Sequence, residues 1–210
     1  MPPSTASMSE MYFTRQPQSA SRPQSTLFTY RGQTLSFMTD SGVFSKGEMD
    51  KGTALLLDSL PEQMQGDILD MGCGWGAIGV TLAKVFPMAH LTMVDTNLRA
   101  LDLARENLSR NGATGLCVES DGVSALHGKT FDYVVTNPPI RAGKQKLYTL
   151  LLDAGKSLNP GGMLYLVIRK QQGAESCIRF LGNVFTRVEK VARSAGFWIV
   201  CASEWKGENE

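Results

Sequence analysis

From residue 50 onward, short apolar runs alternate with amphipathic stretches, and the spacing predicts a regular succession of strands and helices. Apolar runs at 67–71, 90–94, 116–119, 131–136 and 163–168 have strand length. Helical patterns cover 51–59, 76–85, 97–110 and 145–157, the first stopping at Pro61, and 174–182 follows the fifth strand as a further helix. Strands alternating with helices imply βαβ units and a parallel sheet covered on both faces. The end of the chain differs. Runs at 187–193 and 197–203 are joined only by Ser194-Ala195-Gly196, too short for a parallel crossover, so they are expected to pair antiparallel. Upstream, 26–31 and 34–39 read as a hairpin around Gly32.

These patterns divide the chain into a largely disordered tail over 1–25, a hairpin and entrance segment over 26–49, an α/β domain over 50–204 and a short tail over 205–210. The first tail is rich in Ser, Pro, Gln and Thr, although Tyr12 and Phe13 make an aromatic pair able to fold back as a flap. A length of 210 residues with 42% hydrophobic and 20% charged positions suits one soluble domain. No run approaches the roughly 18 apolar residues of a membrane span and no leader opens the chain, so a cytoplasmic, monomeric protein with no membrane partner is expected. A net charge of +1 argues against a purely electrostatic RNA-coating role without excluding an RNA substrate. Cys73, Cys117, Cys177 and Cys201 form no CxxC pair, and His90 and His127 lack ligand-spaced neighbours, so no metal site is expected.

The densest chemistry is Asp70-Met71-Gly72-Cys73-Gly74-Trp75-Gly76, where a strand ends in an acid and a glycine turn opens a helix. Glycines there let a ligand approach main-chain N–H groups. Gly74-x-Gly76-x-x-Gly79 also fits a dinucleotide fingerprint, which keeps a nicotinamide-dependent oxidoreductase in view. Two further acids end successive strands. Asp95, with Thr96 beside it, is placed for ribose hydroxyls, and Asp121-Gly122-Val123 follows the third strand. Ligands of open α/β sheets bind at that edge. After the fourth strand comes Thr136-Asn137-Pro138-Pro139-Ile140.

The acid and glycine turn resemble motif I of the S-adenosylmethionine-dependent methyltransferases, and Asn137-Pro138-Pro139-Ile140 resembles the loop of members that act on exocyclic or amide nitrogens. The resemblance implies a class I Rossmann-like methyltransferase fold: seven strands, mostly parallel, the last one antiparallel beside the fifth, with helices on both faces. It implies that Asp70, Gly72, Cys73, Gly74, Gly76, Asp95, Thr96, Asp121, Gly122, Val123 and Asn137 hold S-adenosylmethionine, Asp121 accepting from the adenine amine while Val123 packs on its ring. In the loop, the Asn137 side-chain oxygen and the Pro138 carbonyl would each accept one N–H of a poor nitrogen nucleophile, and Pro139 stiffens the backbone. Ile140 stands where an aromatic usually covers the target.

More specifically, Thr39 to Lys46 with Asp50-Lys51-Gly52, the Arg141-Ala142-Gly143-Lys144 extension and Arg169-Lys170-Gln171-Gln172 resemble the short, single-domain branch of the small-subunit (16S) ribosomal RNA guanine-N2 methyltransferases. That resemblance implies that Phe44 and Ser45 close over the cofactor and that the partner is ribosomal RNA or the small ribosomal subunit. Arg141, Lys144, Lys146, Arg169 and Lys170 are candidate phosphate contacts. Two other readings share these motifs: a protein glutamine N5-methyltransferase, and a non-catalytic RNA-binding module on a methyltransferase-like fold.

Overall fold

In the computed structural model, which describes residues 22–40 and 49–207, two strands form a hairpin and seven form one sheet. The tail before residue 22, with Tyr12 and Phe13, and the entrance residues Phe44 and Ser45 lie outside the described residues. In chain order the elements are β1 (Gln24–Tyr30), β2 (Gln33–Thr39), α1 (Lys51–Asp58), β3 (Gly66–Met71), α2 (Ala77–Val85) and β4 (Ala89–Asp95). Then come α3 (Leu98–Arg110), β5 (Leu116–Glu119), β6 (Phe131–Thr136), α4 (Lys144–Lys156), β7 (Leu158–Arg169), α5 (Ala174–Val184), β8 (Phe185–Ser194) and β9 (Phe197–Trp205).

The sheet order is β5-β4-β3-β6-β7-β9-β8. Strands β3 to β7 run parallel, and β9 inserts antiparallel between β7 and β8. This is the expected architecture. Strand periodicity decides the layers, because neighbouring residues point to opposite faces. Ile68, Val135, Tyr165, Val167 and Ile199 pack toward the hairpin and α1 to α3, while Leu69, Val134, Leu164, Leu166 and Val200 pack toward α4 and α5. Each such fully buried side chain is worth about 1.5–3 kcal/mol of transfer free energy.

Element ends follow local chemistry. Asp50 caps α1, its carboxylate accepting from the Thr53 N–H at 3.0 Å, and Asn97 caps α3. Both hairpins turn on two residues with positive φ, Arg31-Gly32 and Ala195-Gly196, so the terminal link is shorter than the three residues expected. Strand β7 starts at Leu158 instead of 163 because Leu158 pairs with Phe131, after which the Asn159-Pro160-Gly161-Gly162 stretch bulges out before Met163 resumes pairing with Tyr133. Helix α5 runs directly into β8, and β9 continues to Trp205, whose ring packs edge-on against Phe185 at 5.1 Å.

The hairpin is fastened to the sheet domain by side chains that imitate strand pairing. Asn111 accepts from Ser36 N and donates to Ser36 O, and Asn107 accepts from Met38 N and donates to Met38 O and Trp75 O, all within 2.7–2.9 Å. One helical turn separates the two asparagines on α3 and matches two residues of β2. Arg31 donates to Leu60 O, Pro61 O and Glu62 O beyond α1, and Phe37 packs edge-on against Trp75 at 5.0 Å. The hairpin thus braces the glycine turn from behind.

Candidate active site

Because β3, β4, β5 and β6 run parallel, their carboxyl ends deliver Asp70, Asp95, Asp121 and Asn137 to one edge of the sheet. Asp70 is fully buried. One of its oxygens accepts from Gly79 N at 2.7 Å, and the other, Oδ1, has no hydrogen-bond partner among the described residues. Burial raises its pKa from 3.8 to about 7, with the Gly79 N–H opposing and the Asp95 charge adding to the rise.

The glycine turn is tied to β4: Gly72 N and Cys73 N both donate to Val94 O at 2.9 Å, and Gly74 N donates to Asp95 Oδ2 at 2.8 Å. Gly72 and Gly74 have φ of 76° and 54°, and a Cβ on either would meet nothing within 4 Å, so their outer side is open. Gly76 and Gly79 serve packing instead, since a Cβ there would come within 2.7 Å of Val80 and 2.4 Å of Met93. Cys73 is buried with its thiol pKa pushed well up, so it belongs to the turn and is no nucleophile. Asp95 Oδ1 accepts from Asn97 N at 2.8 Å, and burial raises the Asp95 pKa against the Asn97, Gly74 and Thr96 amides.

The third and fourth loops depart from expectation in detail. Both Asp121 oxygens lie 2.5 Å from Lys146 Nζ, so Lys146 neutralises the expected adenine acceptor and is not a free phosphate contact. Gly122 has a φ of 57° and admits no Cβ, which would sit 2.8 Å from Asp153 Oδ2. Val123 and Ile140 are partly buried against the α4–α5 side of the core. The Pro138 carbonyl, expected to accept from a target amine, already accepts from Ile140 N at 2.9 Å, leaving one lone pair. Asn137 is partly buried, and its amide nitrogen donates to Thr53 Oγ1 at 3.0 Å and Asp50 Oδ2 at 3.4 Å. In the sequence Thr53 read only as a helix residue, and Asp50 entered only within the family-like Asp50-Lys51-Gly52 segment, with no role assigned to either.

Of the basic candidates, Arg141, Lys144 and Lys170 are exposed along this edge. Lys144 Nζ lies 5.3 Å from the Tyr148 ring, and the Arg169 guanidinium stacks 4.2 Å over Phe197.

The methyltransferase small domain family matches residues 34–201, taking in the hairpin's second strand, the whole site edge and most of the terminal hairpin. The chain belongs to this family. It is 40% identical over 200 residues to the YbxB protein of Bacillus subtilis, covering 94% of this chain and 100% of that one. It is 41% identical over 163 residues to ribosomal RNA small subunit methyltransferase C of Aeromonas hydrophila, covering 74% of this chain but 45% of the relative. Among solved structures, the Thermus thermophilus 16S rRNA N2 G1207 methyltransferase, in complex with AdoMet and guanosine, aligns with a TM-score of 0.77 and 25% identity. That alignment covers 90% of this chain and 52% of the other. The chain therefore spans about half the length of these ribosomal RNA methyltransferases. This methyltransferase uses S-adenosylmethionine, and the edge fits that cofactor: Asp70, with one buried oxygen unpartnered among the described residues, directly precedes a glycine turn whose outer side is open.

Proposed function

We propose that this methyltransferase modifies the exocyclic N2 of a guanine in small-subunit (16S) ribosomal RNA. The observation that carries the reading is the Asn137 amide, whose nitrogen is engaged by Asp50 and Thr53 while its oxygen accepts no hydrogen bond among the described residues, at the sheet edge that carries the glycine turn. The names of the relatives, one of them held with guanosine, support guanine as the base.

When bound, S-adenosylmethionine supplies a sulfonium methyl group to a nucleophile. Asp95 would accept from its ribose hydroxyls, Asp121, shared with Lys146, would accept from the adenine amine, and Val123 would lie against the ring. The open outer side of Gly72 and Gly74 would receive the cofactor, the N–H groups of Gly72, Cys73, Gly74 and Gly76 being engaged within the fold. Phe44 and Ser45 are proposed to cover it. Asn137 Oδ1 and the remaining Pro138 lone pair each accept one N–H of the guanine amine, which turns the nitrogen lone pair toward the donor. The same acceptors stabilise the positive charge that develops on nitrogen, so positioning replaces a strong base. Pro139 holds the loop and Ile140 covers one face of the base. A guanine within structured RNA must first be unstacked, at a cost of a few kcal/mol. Arg141, Lys144, Arg169 and Lys170 contact flanking phosphates along the same edge.

The test is transfer of labelled methyl to total RNA and protein from cells lacking this chain, followed by nucleoside and amino-acid analysis. Label in N2-methylguanosine of 16S RNA is the expected result. Label in glutamine, or in another nucleoside, overturns the proposal. Asn137→Ala should lower turnover by about 10²–10³-fold with cofactor affinity preserved.

A further inference from the structure

Asn137 is useful to a target amine only if its oxygen, and not its NH₂ group, faces that amine. A primary amide is nearly symmetric in shape, so something must choose. We propose that Asp50 and Thr53 are positioning residues that commit the Asn137 amide to one orientation. This rests on the reading of Asn137 as the acceptor of the target amine.

The choice follows from what each neighbour can offer. The Asp50 carboxylate has only lone pairs to give. Its Oδ2 lies 3.4 Å from Asn137 Nδ2 and 3.5 Å from Thr53 Oγ1, and it takes the single Thr53 hydroxyl proton. Thr53 Oγ1 is then left to accept, and it does so from Asn137 Nδ2 at 3.0 Å. The order of donation runs from Asn137 to Thr53 to Asp50. A reversed amide would set Oδ1 against the Asp50 carboxylate, which can only accept. It could keep Thr53 only by turning the hydroxyl proton away from Asp50, so both contacts to the carboxylate are lost and repulsion is added. The nitrogen is thereby committed to α1. Oδ1 accepts no hydrogen bond among the described residues.

The platform is also rigid. Asp50 Oδ2 is held by the Thr53 N–H at 3.0 Å as the cap of α1, and Thr53 is buried. The first turn of α1 lies hard against β9, since a Cβ on Gly52 would come within 2.7 Å of Phe197 Cε1. Phe197 is covered in turn by Arg169. Two elements far apart in the chain, α1 and β9, thus hold the group that aims Asn137, which is the support a preorganised acceptor requires.

Two substitutions separate aiming from folding. Thr53→Val keeps the shape and burial of the side chain but removes the hydroxyl. Asp50→Asn keeps the helix cap, because asparagine caps as well as aspartate, yet it can turn an NH₂ group toward Asn137 and so tolerate the reversed amide. With 16S RNA as substrate, each should lower kcat by about tenfold, the value of one hydrogen bond of about 1.4 kcal/mol. KM for RNA, cofactor Kd and melting temperature should stay near wild type, and Thr53→Ser should restore kcat. A readout without substrate is the Asn137 side-chain NH₂ resonance, identified by its disappearance in Asn137→Ala. It should exchange slowly with water in the wild type and rapidly in Thr53→Val. If Asn137→Ala is inactive while Thr53→Val and Asp50→Asn turn over normally, aiming is refuted and the proposed function stands. If Asn137→Ala itself is active, both fall. A kcat loss that tracks melting temperature or cofactor affinity also overturns the proposal, because it marks a structural role.

Discussion

Asp70 offers a test of the site that needs neither RNA nor turnover. Its carboxyl is buried, with one oxygen unpartnered among the described residues, and its pKa rises from 3.8 to about 7. A carboxyl whose folded pKa exceeds its unfolded value favours the fold most when protonated. Its contribution is fully present below pH 3.8 and is lost as pH rises through about 7. At about 1.4 kcal/mol per pH unit, the cofactor-free protein loses about 4 kcal/mol across that interval through this one group. In Asp70→Asn the ionisation is gone. The side-chain oxygen can keep the Gly79 N–H, while the new NH₂ group takes the place of Oδ1 and lacks an acceptor, a pH-independent cost of about 1–3 kcal/mol. Urea unfolding of both proteins without cofactor, read at pH 5 and pH 8, should show the stability difference moving by about 3 kcal/mol in favour of the variant. At pH 8 the variant should be the more stable protein. A difference that stays constant with pH would refute the argument. A bound cation favours the carboxylate over the acid, so S-adenosylmethionine affinity of the wild type should rise with pH through about 7, and that rise should vanish in the variant.

Three further outcomes are expected. Asn107→Ala strips partners from Met38 N, Met38 O and Trp75 O; it should cost roughly 2–4 kcal/mol in urea titration and open 22–40 to limited proteolysis. In Gly155→Ala the new methyl would lie 2.2 Å from the Trp205 ring, so calorimetry should register a loss of about 1–3 kcal/mol or more. Lys144→Ala should weaken RNA binding and reduce its log–log salt slope by about 1, with turnover at saturating RNA largely kept.

The order of elements was legible because it is local. A strand of five or six residues and an amphipathic helix each declare themselves within a dozen positions, whereas the caps Asp50 and Asn97 and the two-residue length of the turn at Ala195-Gly196 came with the structure. The candidate residues were legible for a related reason: once strands run parallel, every residue at a carboxyl end must share one edge. Asp70, Asp95, Asp121 and Asn137 therefore converge whatever the details of packing. The bulge at Asn159–Gly162 was not legible, since Asn-Pro-Gly-Gly reads as a turn and only pairing of Leu158 with Phe131 extends the strand.

What the tertiary structure alone decided is which side chains meet across long separations. Lys146 closes on Asp121 from 25 residues away, Thr53 holds Asn137 from 84, and Asn111 pairs with β2 across 75. None of these partners carries a motif, because a lysine on a helix or a threonine after a cap is ordinary in its own neighbourhood. Sequence alone determined the α/β fold class and the convergence of Asp70, Asp95, Asp121 and Asn137 on one sheet edge, since these follow from periodicity and chain direction, whereas the roles expected of them came from the family resemblance. The aim of Asn137 and the state of Asp121 depend on how α1 and α4 pack onto the sheet, and a hydrogen bond is decided within a few tenths of an ångström.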